Sequence, residues 1–433
     1  MRIKDWVQSI LKKQALHQTA FVLTGSLVNG VSLFILNIVL ARALDQELFG
    51  IFSLSVLVLS TVGELSDFGL NSALLRFAPY YIATNQADKL KQLLKTIWRW
   101  RVSLTTILTV GGVILSYPLA KYLFGQEKIA PYLTFSFLGT GGVILLGFLA
   151  TFLQSKQRFL YHASLQSLKG LLRLAVVAAF MIFGVTNLYA YLSAYIFVPW
   201  LLFLTSFGVF PEKFREVTID EEIKKNLHSQ LATFSFWLTI ASFTSIVAGK
   251  INQVMISHYL GLREVAIFAV AIQLIQVFPI LYGSISSVLM PKVSSLADKA
   301  ALVAFAKRIF KWVLVGSLGV ALFIYPSQYL IEFLFGQKYV EAMPVYLFLA
   351  YSTLFNVITI PFSLTIIVFN RTHIAALAGV VHLVFNILCN LVLIPRYGLM
   401  GAAYTYAAGM VVQLVWDFSW VVYLVKTKEL KKL

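Results

Sequence analysis

The chain is divided into long apolar blocks separated by short charged stretches. Each block has roughly the 20 residues an α-helix needs to cross a bilayer. In hydrocarbon every backbone N–H and C=O must be paired within the protein. Repeated blocks of this length therefore predict an all-α integral membrane bundle, with spans at 18–41, 50–80, 101–124, 130–154, 160–184, 187–210, 230–259, 265–290, 310–332, 343–369, 373–394 and 399–425. Charged residues make up 12% of the chain and hydrophobic ones 59%. So few charges cannot coat a water-soluble surface. The second span is longer than a bilayer requires, which predicts tilting or projection from the membrane.

The net charge is +17. In a soluble chain that excess would suggest nucleic acid. Here the cations sit between the apolar blocks, so no nucleic-acid partner is expected. Twenty-five lysines and arginines fall on the side holding the N-terminus and every second loop, against six on the other. Basic loops stay cytoplasmic, so both termini are expected inside. The single cysteine, Cys389, excludes an intrachain disulfide and a cysteine zinc cluster. The basic leader 1–17 precedes an apolar block too long for a signal-peptide core, so an uncleaved first helix is expected. Ile3, Trp6, Val7, Ile10 and Gln14 share a helical face that suits the membrane surface.

Internal repetition defines the domains. Lys95-Thr-Ile-Trp-Arg-Trp100 matches Lys307-Arg-Ile-Phe-Lys-Trp312. Each enters an apolar span ending near Tyr-Pro (Tyr117-Pro118, Tyr325-Pro326) and then reaches Leu-Phe-Gly-Gln at 123–126 and 334–337. Pro131, Tyr132 and Leu133 then answer to Pro344, Tyr346 and Leu347, and Leu44 with Phe52 has the spacing of Leu260 with Phe268. This order predicts an N-lobe of six helices (18–210), a cytoplasmic linker (211–229), a C-lobe of six helices (230–425) and a basic tail (426–433). Thr218 and Glu221 have capping-box spacing in the linker. Six spans per half bring both halves in from the same side, so the expected symmetry axis lies along the membrane normal, with a cavity shared by the halves.

Asp67-Phe-Gly-Leu70 followed by Arg76, the Leu44…Phe49-Gly-Ile-Phe52 stretch, the repeated Leu-Phe-Gly elements and Arg396-Tyr-Gly-Leu-Met-Gly-Ala-Ala403 after Ile394-Pro395 resemble the Wzx-type polysaccharide flippases. These belong to the superfamily that also contains the MATE exporters and the lipid II flippase MurJ. The resemblance covers nearly the whole chain. It implies a MATE-like fold in the bacterial cytoplasmic (inner) membrane. It also implies movement of lipid-linked oligosaccharide between leaflets, with membrane lipids and polysaccharide-assembly proteins such as a polymerase as partners. Many relatives carry an acidic residue near the position of Asn252, which puts a carboxylate role there in doubt.

Charged side chains within the bilayer are expensive and mark sites by default. Gln166, Lys169 and Arg173 lie on one face of span five. Arg173 falls roughly 21 Å from Phe159, near the midplane, where a cavity lining or a structural ion pair are the alternatives. Lys169 is shallower and can line the cavity or snorkel. Glu64, Asp67 and Asn71 share a face of span two, as a proton or sodium relay, a counter-ion for Arg173 or an interhelical network. Arg76 is placed for snorkelling or headgroup contact. Asn29 and Asn37 of span one, and Lys250 and Asn252 of span seven, lie on polar stripes that either face the cavity or pack helices. Span eleven adds His382, Asn386 and Asn390, and span twelve adds Gln413 and Asp417. His382 can titrate near neutral pH or serve as a packing residue. Glu64, Asp67, Asp417 and His382 are the candidates for coupling to H+ or Na+, and no other cofactor or metal is implied. No HExxH, GxxxxGK[ST] or nucleotide-type GxGxxG is present, so no enzyme activity is expected.

The reading is a flippase that uses a partly cationic cavity and rocking of two halves. The alternatives are an ion-coupled exporter of small cations and a membrane enzyme of polysaccharide assembly. The charge asymmetry makes a direct prediction. Single cysteines replacing Lys91, Lys224, Lys299 and Lys431 should stay unlabelled when intact cells meet an impermeant thiol reagent, and label after permeabilisation. Strong labelling from outside at any of the four contradicts the orientation.

Overall fold

The computed structural model describes residues 3–207, 221–278, 289, 293, 299–368 and 372–427, with the side chains of 3–19, 207, 221–238, 241, 299–302, 306, 367–368, 372–373 and 375–376 excepted. The predicted leader face, the Thr218 cap and most of the basic tail lie outside the described residues. Fourteen α-helices are used below: α1 (Ile3–Ala43), α2 (Gln46–Leu65), α3 (Leu70–Ala83), α4 (Ala87–Pro118), α5 (Ala130–Ser155), α6 (Phe159–Ile182), α7 (Leu188–Phe207), α8 (Glu221–Tyr259), α9 (Leu262–Ile275), α10 (Lys299–Ser327), α11 (Tyr329–Phe335), α12 (Ala342–Val368), α13 (Thr372–Tyr397) and α14 (Leu399–Thr427). The protein is an all-α, multi-pass membrane protein, and ten helical segments among the described residues are long and apolar enough to cross a bilayer. α8 covers the predicted seventh span and α9 opens the eighth, much of which lies outside the described residues.

Two compact units emerge. Unit 1 comprises Met1–Ala43, Ser55–Ala120 and Lys128–Thr239; unit 2 comprises Leu44–Leu54, Lys121–Glu127 and Ile240–Leu433.

In unit 1, α5 is the most enclosed helix, packed by α3, α4, α6 and α7. Its Leu145, Phe148, Leu149 and Phe152 pack with Leu74, Leu93, Leu94 and Ile97 from α3 and α4 in one buried apolar cluster. α1 runs along α6. A Cβ added at Gly170 would stand 2.8 Å from the Asn29 Cα, and one at Gly25 would stand 2.7 Å from the Ala163 Cα. Lipid supplies no hydrophobic drive between helices, so this backbone approach is what lets dispersion hold α1 to α6.

The second predicted span is two helices. α2 stops at Leu65 and α3 starts at Leu70. Phe68 (φ 44°) and Gly69 (φ 70°) between them are left-handed. Glycine adopts that conformation freely; a phenylalanine does so only when its surroundings impose it. The length anomaly in the sequence is thus resolved by a break at Asp67-Phe-Gly.

In unit 2, α12 packs against α9, α10 and α14, and α13 packs against α14. Residues 44–54 and 121–127 join this unit through specific contacts. The fully buried Tyr339 meets Phe49 and Phe335 edge-on, at ring separations of 6.0 and 6.3 Å. The Lys338 ammonium donates to the Leu44 carbonyl. Ser257 Oγ donates to the Phe124 carbonyl at 3.0 Å.

The repeated motif shares several local features in its two occurrences, although a π-helical turn, Leu119–Leu123, precedes Phe124 and a short α-helix, α11, carries Phe335. Pro118 and Pro326 lie near the ends of α4 and α10. Phe124 and Phe335 are buried, and Gly125 (φ 66°) and Gly336 (φ 94°) are both left-handed. A 3₁₀ turn follows each, Glu127–Ile129 and Gln337–Tyr339.

Replacing Gly170 by leucine should destabilise the detergent-solubilised protein by about 1–3 kcal/mol, the usual cost of overpacking. Gly111 is the control, because a Cβ added there would meet nothing within 4 Å. The check is the thermal unfolding midpoint: a drop for Gly170→Leu, none for Gly111→Ala. Equal midpoints would remove the α1–α6 contact from the account.

Candidate functional site

Unit 1 contains a half-open cavity of about 450 Å³. Its walls include Glu64, Asp67, Asn71, Gln166, Lys169, Arg173, Tyr195 and Pro199. α6 brings Gln166, Lys169 and Arg173 to one wall, as their i, i+3, i+7 spacing requires. α2 and the break after it bring Glu64, Asp67 and Asn71 to another. The residues that line this cavity all belong to unit 1.

Arg173 is 7% exposed. Its position follows from Pro199 on α7. Proline has no N–H, so the carbonyl four residues earlier, that of Tyr195, loses its helical partner. Arg173 Nη2 donates to that carbonyl at 3.3 Å, and the guanidinium lies 4.6 Å from the centroid of the Tyr195 ring. A carbonyl and an aromatic face orient the cation without cancelling its charge. Arg173 Nε is buried with no hydrogen-bond partner, and among the described residues no carboxylate pairs with Arg173. The alternative of a Glu64–Arg173 ion pair is therefore not the arrangement seen.

Asp67 has a different partner. Arg101, 2% exposed, forms an ion pair with Asp67 Oδ1. Its Nη1 donates to the Ser66 carbonyl at 3.1 Å and its Nη2 to Asn71 Oδ1 at 2.8 Å. Asp67 Oδ1 also accepts from the Asn71 N–H at 3.0 Å, which satisfies a free donor in the first turn of α3. One guanidinium thus closes the break between α2 and α3. By sequence Arg101 counts among the loop cations; it lies 34 residues from Asp67, a separation that carries no local periodicity. Sequence reasoning misses Tyr195 for the same reason.

These pairings set the charge of the cavity. Asp67 is compensated by Arg101. The lining itself carries Lys169 and Arg173 against Glu64 and Asp67; with Arg101 behind the wall taking up Asp67, the site, Arg101 included, has one positive charge in excess.

The other candidates lie elsewhere. Asn29 packs its backbone on Gly170, and its side-chain oxygen is buried without a hydrogen bond. Asn37 donates to the Leu33 carbonyl of its own helix at 2.9 Å. Arg76 is exposed on α3, beside the Phe77 ring. In unit 2, Asn390 donates to Asn252 Oδ1 at 2.6 Å and to Asn386 Oδ1 at 3.4 Å, a buried ladder joining α8 to α13. Lys250 is half-buried on α8. The half-buried His382 has an Nε2 without a partner, and a Cβ on Gly409 would meet it. Asp417, 3% exposed, accepts from Ser363 Oγ and, at 3.0 Å, from Gln413 Nε2. Among the described residues no group of histidine, cysteine and carboxylate side chains could hold a metal ion.

The fold is similar to those of MATE transporters and MurJ. A MATE multidrug-resistance transporter in its inward-facing conformation superposes with a TM-score of 0.71 at 12% identity, over 93% of this chain and 96% of that one. The lipid II flippase MurJ, in an inward closed conformation, superposes with a TM-score of 0.67 at 14% identity, over 96% of this chain and 89% of that one. The family model described as "Polysaccharide biosynthesis protein" matches residues 15–297, and the chain belongs to that family. It is 22% identical to an uncharacterized membrane protein of Methanocaldococcus jannaschii over 412 residues, covering 89% of this chain and 79% of the relative. It is also 26% identical to the capsular polysaccharide biosynthesis protein CapF of Staphylococcus aureus over 203 residues, 45% of this chain and 51% of that protein.

Removing Arg101 should leave the partly buried Asp67 uncompensated and cost roughly 3 kcal/mol. Arg101→Met should lower the yield of folded protein, and the double change Arg101→Met with Asp67→Leu should recover it, since replacing both partners leaves no orphaned charge. The check is the monodisperse fraction on size exclusion. An unaffected single variant would contradict the clasp.

Proposed function

We propose that the protein is a flippase that carries a lipid-diphosphate-linked oligosaccharide from the inner to the outer leaflet of the bacterial cytoplasmic membrane, for cell-surface polysaccharide. The observation that carries this reading is the excess positive charge of the unit 1 site, Arg101 included, with a deep guanidinium that no carboxylate neutralises. A diphosphate cannot enter hydrocarbon with its charge bare. Arg173 offers a fork whose geometry matches phosphate oxygens, and Lys169 adds a second cation on the same wall. Glu64, Asn71 and Gln166 supply polar atoms for hydroxyls of the adjoining sugar. The volume is within the ~300–1,000 Å³ typical of small-molecule sites. That suits a headgroup rather than a whole oligosaccharide, with the lipid tail left in the bilayer. Transport then requires the cavity to open alternately to the two membrane faces. Membership of the polysaccharide biosynthesis family and the MurJ-like fold support the same reading.

An exporter of small cations needs a net negative cavity, and the pairing of Asp67 with Arg101 removes the carboxylate that would tip the balance. No cofactor is invoked. The protein acts as a transporter rather than an enzyme, alongside the polymerase and other assembly proteins that consume its product.

The test is genetic. In a strain whose surface polysaccharide depends on this protein, Arg173→Ala should abolish the polysaccharide while the protein stays at wild-type abundance in the membrane. Arg173→Lys should keep part of the output. Normal export by a stably inserted Arg173→Ala variant rejects the assignment.

A further inference from the structure

Among the described residues two buried or half-buried carboxylates, one at the break between α2 and α3 and one within α14, are held in different ways. Asp67 of unit 1 has a guanidinium. Asp417 of unit 2 has only neutral partners, the Ser363 hydroxyl on α12 and the Gln413 amide on its own helix. It lies ten residues before Thr427, roughly 15 Å along α14 from that end. Its sequence neighbour Phe418 meets Phe362, the neighbour of Ser363, edge-on at 5.4 Å, and Phe362 lies 5.8 Å from Phe310. Trp416 and Trp420 pack with Ile366, Ile374 and Leu424 nearby.

The ionisable groups on the surrounding helices do not compensate it. α12 carries Tyr346, bonded to Ser327, and Tyr351, which donates to the Ala321 carbonyl. On α13, His382 packs at Gly409, eight residues and so about 12 Å along α14 from Asp417. Cys389, Arg396 and Tyr397 follow farther along α13, and the side chain of His373 lies outside the described residues. Lys307, Arg308 and Lys311 on α10 are exposed. α14 itself adds Tyr404, Tyr406, Tyr423 and Lys426. Among the described residues none forms an ion pair with Asp417.

An isolated carboxylate in a low-dielectric interior is costly enough that the group takes up a positive charge or becomes neutral. A sodium ion would need several oxygen ligands. Among the described residues the side-chain oxygen bonded to the carboxylate is Ser363 Oγ; Gln413 presents its amide nitrogen. A proton needs one oxygen lone pair, and each carboxylate oxygen engages a single donor.

We propose that Asp417 is a proton-binding site of unit 2. It carries a proton on one carboxyl oxygen while buried. When its surroundings are wetted the O–H bond breaks, the proton passes to water, and the carboxylate is left hydrated. Under the flippase reading this site makes proton movement available to drive transport; the protonation itself does not depend on that reading.

The experiment uses the full chain in liposomes and dicyclohexylcarbodiimide, an apolar reagent that modifies protonated carboxyls. Mass spectrometry of the digested protein should find the modification at Asp417. It should decline as the pH is raised, persist when potassium is replaced by sodium, and be absent from Asp67. Asp417→Asn should insert and fold normally, lose the modification, and lose any stimulation of export by an imposed pH gradient. No modification of Asp417 at any pH, or protection by sodium, overturns the proposal. Modification as expected together with normal export by Arg173→Ala would keep the proton site and reject the flippase reading.

Discussion

The cost of charge in hydrocarbon governs this structure more than any single packing contact. Each ionic group below the membrane surface must be paired, hydrated or neutralised. The three described solutions are distinct. Asp67 is paired, and its partner Arg101 also takes the Ser66 carbonyl and the Asn71 amide, so the pair doubles as the joint between α2 and α3. Arg173 stays a cation, oriented by a carbonyl that Pro199 has freed and by the Tyr195 ring, and it opens onto a cavity. Asp417 is held by neutral donors alone.

The helix break shows how local backbone and long-range charge depend on one another. Ending α2 at Leu65 strands carbonyls and starting α3 at Leu70 strands N–H groups, which lipid cannot satisfy. The Asp67 carboxylate takes one such N–H and Arg101 takes one such carbonyl. The left-handed Phe68 is tolerated because these bonds fix the residues on either side of it.

Much of the helical architecture is legible in the sequence, because span length is local and obeys simple physics. The Leu-Phe-Gly repeat marks two related turns, and Gly125 and Gly336 both take positive φ there. The face bearing Gln166, Lys169 and Arg173 follows from helical spacing, and all three line the cavity. What joins different helices is not legible. Arg101 looks like a loop cation at the start of a span and is buried at the joint instead. In the sequence the asparagines at 252 and 386 fit either a wet stripe or helix packing, and they bond to Asn390 in a buried ladder. A polar residue at helical spacing has the same appearance in sequence whether it meets water or another amide.

The central claim is that the cavity of unit 1 recognises an anionic diphosphate. The most direct measurement is equilibrium binding of a short-chain isoprenyl diphosphate to the purified, detergent-solubilised protein, with an isoprenyl alcohol and a lipophilic cation as comparisons. The account predicts saturable binding of the diphosphate alone, weakened by about tenfold or more in Arg173→Ala, equivalent to about 1.4 kcal/mol. Preferential binding of the cation, or diphosphate binding untouched by Arg173→Ala, would contradict it.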